Sequence, residues 1–235
     1  MARQTAISIN TIPIGPLGII GMPGCEELTD KIDKYLVKWR KTQASEHAES
    51  IAFFGYQRDT YKIDVSIPRF GSGEGKGVIN ESVRGYDIYI VCDVFNYSCS
   101  YDMYGRKVYM SPDDHFADLK RVISALCSKP KRVSVIMPML YEGRQHKRSS
   151  RESLDCAMAL KELVHLGVEN IITFDAHDQR VQNAIPDKSF ENVMPTYQMI
   201  KALVNNVDDL KVDKDHLMII SPDEGALHRC IYFAT

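Results

Sequence analysis

The first apolar run, GIIGM at 18–22, gives way to a Pro23-Gly24 turn and then to Leu28, Ile32, Tyr35, Leu36 and Trp39 at helical spacing. The run predicts a short strand. The spaced positions predict an amphipathic helix over Glu26–Arg40, with charged residues on its wet face. Residues 41–60 are polar and without a period, so they predict a surface insertion or hairpin. From Asp87 the pattern becomes regular: DIYIVCD (87–93), RVSVIMPM (132–139) and NIITFD (170–175) are strands apolar on both faces. The segments between them, His115–Cys127 and Ser150–Leu166, carry apolar residues at helical spacing. Strands buried on two sides and joined by helices require right-handed crossovers and a parallel sheet covered on both faces. The expected fold class is doubly wound α/β.

A second unit of the same kind is expected to start near Asn192. It has a helix over Thr196–Val204, a polar linker, a strand HLMIIS at 216–221 and a further helix after PDEG. One such pair buries too little apolar surface to stand alone. The reading is therefore a first domain over 1–191 and an incomplete second domain over 192–235, unless these elements finish the first sheet in an atypical way.

Composition narrows the function classes. With 235 residues, 44% of them hydrophobic, a globular core is expected; Lys plus Arg is 29 against 31 Asp plus Glu, a formal charge of −2. No whole-chain field favours nucleic acid or an anionic membrane, so anion chemistry must be local. The apolar runs are too short to span a bilayer, and the start lacks the pattern of a secretory signal, which predicts a cytoplasmic protein. Six cysteines without a CxxC pair read as mostly buried thiols, although an even count also permits disulfides.

Ligands of open parallel sheets bind outside the carboxyl ends of the strands. Beyond 132–139, the stretch from Lys129 to Arg151 holds seven basic residues (Lys129, Lys131, Arg132, Arg144, Lys147, Arg148, Arg151) against one acid, Glu142. This predicts a cationic patch for a polyanion, or a solvated loop. Arg144 can hold phosphate bidentately and Gln145 can read a base or sugar edge. Ser149 and Glu152 have capping-box spacing. Asp175, His177 and Asp178 follow the next strand, where they could ligate a divalent ion, contact a sugar phosphate or simply be hydrogen-bonded. Asp223 could hold metal or cap the last helix. Glycines at 71, 73, 75 and 77 mark a loop that either holds a ligand or is only a surface loop, and its spacing is not that of a P-loop. The Met22–Cys25 turn is either structural or an anion seat.

The segments RFGSGE (69–74), INESVRG (79–85), DDHFADL (113–119), MPMLYEGRQHKRSSRE (137–152), DAHDQRVQ (175–182) and SPDEGALHR (221–229) together resemble ribose-phosphate pyrophosphokinase, in that family's order. The resemblance implies two similar phosphoribosyltransferase-type domains with the catalytic cleft between them. It implies magnesium-dependent transfer of the pyrophosphoryl group of ATP to the 1-hydroxyl of ribose 5-phosphate, releasing AMP. Arg144 and Gln145 match the ATP-binding pair. Phe70 and Glu74 match a loop that reaches the adenine site of a neighbouring subunit, so a homo-oligomer, dimer or hexamer, is expected. His177 and Asp223 match positions associated with magnesium and ATP phosphates.

This chain departs from the family's usual RFSDGE at Ser72, from RQD at His146, and after His177, where Asp178 and Gln179 do not carry over the family's roles. The basic segment and the acidic ribose-phosphate loop of the family would lie beyond Thr235. Catalytic residues are therefore expected there, and residues 1–235 alone are expected to be inactive. The alternative is a noncatalytic relative that regulates or assembles with a synthetase.

Overall fold

The structure, a computed structural model, describes residues 13–42 and 55–234, so most of the polar stretch 41–60 lies outside the described residues. Five strands form one sheet in the order β1 (Leu17–Gly21), β4 (Asp87–Val91), β7 (Arg132–Met137), β8 (Asn170–Phe174) and β9 (Ser189–Val193). The pairs β1–β4, β4–β7 and β7–β8 are parallel. On the free side of β1, Ile19 forms a parallel bridge with Lys62, and its N–H donates to the Tyr61 carbonyl at 2.7 Å. The chain therefore runs outward from β1 in one direction and, from β4 onward, in the other.

Right-handed crossovers taken in opposite directions place their helices on opposite faces, and this is what the packing shows. Helix α1 (Glu26–Thr42) covers Leu17, Ile19, Tyr61 and Val91 through Ile32, Leu36 and Val37. Helices α2 (Pro112–Ala125) and α3 (Asp155–His165) cover Ile88, Ile90, Val133, Val135 and Ile171 on the other face. Each such fully buried aliphatic side chain stabilises the fold by about 1.5–3 kcal/mol relative to exposure. The sheet is thus doubly wound, with its switch point between β1 and β4.

The stripe that α1 turns inward differs from the expected one. Thr29 and Asp33 are buried, whereas Leu28, Tyr35 and Trp39 are exposed. Asp33 belongs inside because its carboxylate accepts the Tyr61 N–H at 2.7 Å and the Thr60 hydroxyl at 2.9 Å. It satisfies backbone at the sheet edge, which a leucine could not do.

Helix α2 starts earlier than its apolar spacing suggests, because Ser111 and Asp114 form a reciprocal capping box with Pro112 in the first turn. Two small antiparallel pairs were not foreseen: β2 (Val65–Ser66) with β3 (Val78–Ile79), and β5 (Ser100–Met103) with β6 (Arg106–Tyr109).

The chain divides into two compact units, Met1–Asn192 and Val193–Thr235. The second holds α4 (Thr196–Asn206), a single 3-10 turn over Glu224–Ala226 and α5 (Leu227–Ala234). The expected strand at 216–221 is not formed: Asp213 turns the chain at His216 and Leu217, and 218–221 run without a ladder. An apolar run becomes a strand only beside a partner strand, and the described residues after Val193 hold none. All six cysteines are free thiols; Cys25, Cys92 and Cys156 are buried, Cys127 is exposed, and Cys99 and Cys230 lie between. No helix of the described residues is long and apolar enough to cross a membrane.

Candidate functional site

The switch point itself is filled by the chain. The Gly24 N–H donates to the Glu26 carboxylate, and its carbonyl accepts from the Asn96 amide at 3.0 Å. Gly24 has φ +85, and a side chain there would meet Asn96 and the Cys99 thiol within 3 Å. Asn96 is held in turn by His115, whose Nε2 lies 2.8 Å from its carbonyl. The Met22–Cys25 turn is therefore structural, and the open chemistry lies at the carboxyl ends of β7 and β8.

After β7 the chain makes a tight turn in which Gly143 N–H bonds the Leu140 carbonyl and Gln145 N–H bonds that of Glu142. Glu142 adopts a left-handed φ of 54, a strained conformation for a non-glycine residue that persists only where the surroundings fix it. Tyr141 does the fixing. Its ring stacks on Phe116 at 4.2 Å, and its hydroxyl donates to Asp113 at 2.6 Å. Burial, and then the Asp113 carboxylate, push this phenol far above its usual range. The Cys156 N–H bonds the Gln145 carbonyl, so the turn is tied to both α2 and α3. Arg144 and Gln145 emerge from it with exposed side chains.

The seven-residue cationic patch does not exist as one surface. Lys129, Lys131 and Arg132 lie at the amino end of β7, the opposite end from Arg144, and Arg132 is bidentate on Asp87 of β4. What remains is a run of four exposed cations, Arg144, Lys147, Arg148 and Arg151, none of them in an ion pair among the described residues. Ser149 and Glu152 do not cap α3, which begins at Asp155 after Leu154 without a side-chain cap. Instead Glu152 accepts from the Ser149 N–H and the Ser150 hydroxyl, which folds the loop on itself.

After β8, Asp175 turns into the left-handed region with φ 44, so strand alternation ends there and does not continue to His177. Asp178 caps a short 3-10 helix over Gln179–Ala184. Arg180 grips the Asp178 carboxylate and holds it well below the usual carboxylate range, with its own N–H and His146 adding to the effect. His146, from the β7 loop, places Nε2 3.4 Å from Asp178, and its ring centroid lies 5.1 Å from that of His177. The structure thus brings His146, His177 and Asp178 together across adjacent strand ends. Sequence reading named His146 only as a departure and missed this cluster, although a histidine in the RQ segment was its visible signal.

Phe70 and Glu74 sit in a separate, exposed turn over 68–76, closed by bonds from Phe70 N–H to the Glu74 carbonyl and from Gly73 N–H to the Phe70 carbonyl, both 2.8 Å. Its base is held by Arg69, which reaches Asp118 of α2 at 2.6 Å; Arg121 holds the same carboxylate at 2.6 Å. Asp223, in the second unit, accepts the Ala226 N–H at 2.9 Å and so caps the 3-10 turn there. Among the described residues, no three His, Cys, Asp or Glu side chains converge to hold a metal ion.

Residues 17–167 match the N-terminal domain of ribose phosphate pyrophosphokinase, over more than half of the chain. The chain belongs to the ribose phosphate pyrophosphokinase family. It is 25% identical over 169 residues to the ribose-phosphate pyrophosphokinase of Pasteurella multocida, covering 71% of this chain and 47% of that protein. It is also 25% identical over 185 residues to ribose-phosphate pyrophosphokinase 1 of Schizosaccharomyces pombe, covering 78% and 41%. The chain thus spans under half the length of these curated relatives. Among solved structures, phosphoribosylpyrophosphate synthetase from Mycobacterium smegmatis aligns with a TM-score of 0.69 at 18% identity, over 93% of this chain and 60% of that one. At that identity the likeness shows the fold: a parallel sheet of phosphoribosyltransferase type.

Proposed function

We propose that this chain is the front part of a magnesium-dependent ribose-phosphate diphosphokinase. Completed by a second phosphoribosyltransferase-like domain that starts near residue 192, it would transfer the pyrophosphoryl group of ATP to the 1-hydroxyl of ribose 5-phosphate in the cytoplasm. The observation that carries this reading is the strand-end array: Arg144, Gln145 and three further unpaired cations after β7 stand beside His146 and His177 at the end of β8. Four exposed cations within eight residues, the first of them on a braced turn, offer a triphosphate a positive edge.

In this reading Arg144 holds a phosphate oxygen, Gln145 orients the adenosine moiety, and His177 contacts the phosphates from the neighbouring strand. Phe70 and Glu74, exposed on their own turn, complete the adenine site of another subunit in a homo-oligomer. Magnesium would enter as an ion already carried by ATP, since Mg²⁺ keeps several waters and needs few protein ligands; His177 and, separately, Asp223 are the residues proposed to contact it. When bound it would neutralise phosphate charge and polarise the transferred group. The residues that position ribose 5-phosphate and stabilise the developing charge would lie beyond Thr235.

The test supplies ATP, Mg²⁺ and ribose 5-phosphate to a chain completed through its second domain and, in parallel, to residues 1–235, while AMP and phosphoribosyl pyrophosphate are followed together. The expected outcome is activity in the former and none in the latter, with at least a roughly tenfold loss on His177→Ala. ADP as product would overturn the reading in favour of γ-phosphoryl transfer. One observation favours a noncatalytic relative: His146 stands where the family carries aspartate and is turned toward Asp178, itself held by Arg180. Inactivity of the completed chain would establish that alternative.

A further inference from the structure

Between β4 and α2 the chain inserts the hairpin β5–β6, which has no place in the sheet. An isolated two-stranded hairpin is marginal in water, so what it rests on decides whether it is ordered. It rests on the turn that carries Phe70 and Glu74. The Tyr104 N–H, at the hairpin tip, donates to the Gly71 carbonyl at 2.9 Å. The Tyr101 ring lies under the Arg69 guanidinium at 4.3 Å, and its hydroxyl reaches Asp114 of α2 at 3.4 Å. Gly73 has φ +91, a conformation that favours glycine, and its Cα side faces the Met103 thioether, which a side chain there would meet at 2.8 Å.

Tyr104 itself holds a left-handed φ of 48 in the two-residue turn with Gly105. That turn geometry suits the strand twist but is costly for a tyrosine, and contacts such as the Gly71 bond are what fix it. Arg69 meanwhile is held from the other side by Asp118, which is 2% exposed. The 68–76 turn is therefore gripped between α2 and the hairpin, with Phe70 projecting at 57% exposure.

We infer that the hairpin Ser100–Tyr109 is the positioning element of the Phe70–Glu74 turn, with Tyr101 and Met103 fixing the direction in which Phe70 is presented to a nucleobase. The nucleobase half of this statement rests on the proposed function; the positioning half does not. Hydrogen exchange of the 235-residue chain tests the positioning directly. Tyr101→Ala, and independently Met103→Ala, should speed exchange of the Phe70 and Gly73 amides at least about tenfold while β4 and β7 amides keep their protection. Tyr101→Phe, which keeps the ring over Arg69, should restore wild-type exchange. If β4 and β7 lose protection in Tyr101→Ala, Met103→Ala decides. Wild-type exchange at Phe70 and Gly73 in an otherwise folded alanine variant overturns the positioning role.

A parallel titration of the same variants with Mg-ATP separates the two readings. Loosened turns that also bind ATP more weakly support both. Loosened turns with unchanged affinity leave the hairpin as the positioner of the turn and remove the turn from the nucleotide site.

Discussion

Arg144 is the side chain on which nucleotide binding should depend most directly. It leaves a turn fixed by Tyr141 and meets no acid among the described residues, so its charge is available to a phosphate. Arg144→Ala should weaken Mg-ATP binding by about 1.5–3 kcal/mol, the range for a charge-assisted hydrogen bond, as read by calorimetry. The thiols give a check independent of any ligand. Burial pushes Cys25 and Cys156 up to about 11, and Cys92 well above its ordinary value. A thiol-labelling reagent at pH 8 should therefore modify exposed Cys127 first and leave these three until unfolding. The same shifts set a pH limit. Below pH 9 the thiols are protonated in both folded and unfolded chains. Between 9 and about 11 the unfolded chain releases protons that Cys25 and Cys156 retain, so stability should fall across that window in alkaline denaturation. Arg144 and Gln145 were legible at this scale because they come one tight turn after an apolar strand. The pairing of His146 with Asp178 was not, since 32 positions separate them and only adjacent strands join them.

Between elements, a deeply buried polar link is Asp118 on α2, gripped by Arg69 and by Arg121 of the same helix. Removing one partner of a buried ion pair leaves the others uncompensated. Asp118→Ala should therefore cost about 3–5 kcal/mol in urea unfolding and release the 68–76 turn from α2. The central strands were readable because both faces are apolar, as a sheet covered by helices on both sides demands. Strand β9 and the Tyr61–Ile63 edge were not. In β9, Ser189, Glu191 and Val193 point outward and alternate with Phe190 and Asn192, a pattern shared with many loops. Helix α1 was legible in extent but not in facing, because Asp33 turns inward only when the edge strand beside it offers an amide. The run at 216–221 shows the converse: its sequence is apolar enough for a strand, and pairing alone withholds one.

For the whole molecule, the exposed Phe70 turn and the role proposed for it across a subunit boundary lead to a concrete expectation. Light scattering at micromolar concentration should show at least a dimer for the chain completed through its second domain, and a strict monomer would remove the trans-subunit role of Phe70 and Glu74. The sequence by itself determined the family, the parallel α/β class and the strand-end positions of Arg144, Gln145 and His177, because periodicity, turn residues and contiguous motifs are local properties of the chain. Only the tertiary structure decided which side chains lie together. It divided one basic stretch between two ends of a strand about 20 Å long, and filled the switch point with Asn96 and Cys99. It also set His146 against His177 and Asp178, and laid an inserted hairpin on the Phe70 turn. Those outcomes depend on strand order and crossover hand, which bring distant segments within hydrogen-bonding distance and leave no local trace in the sequence.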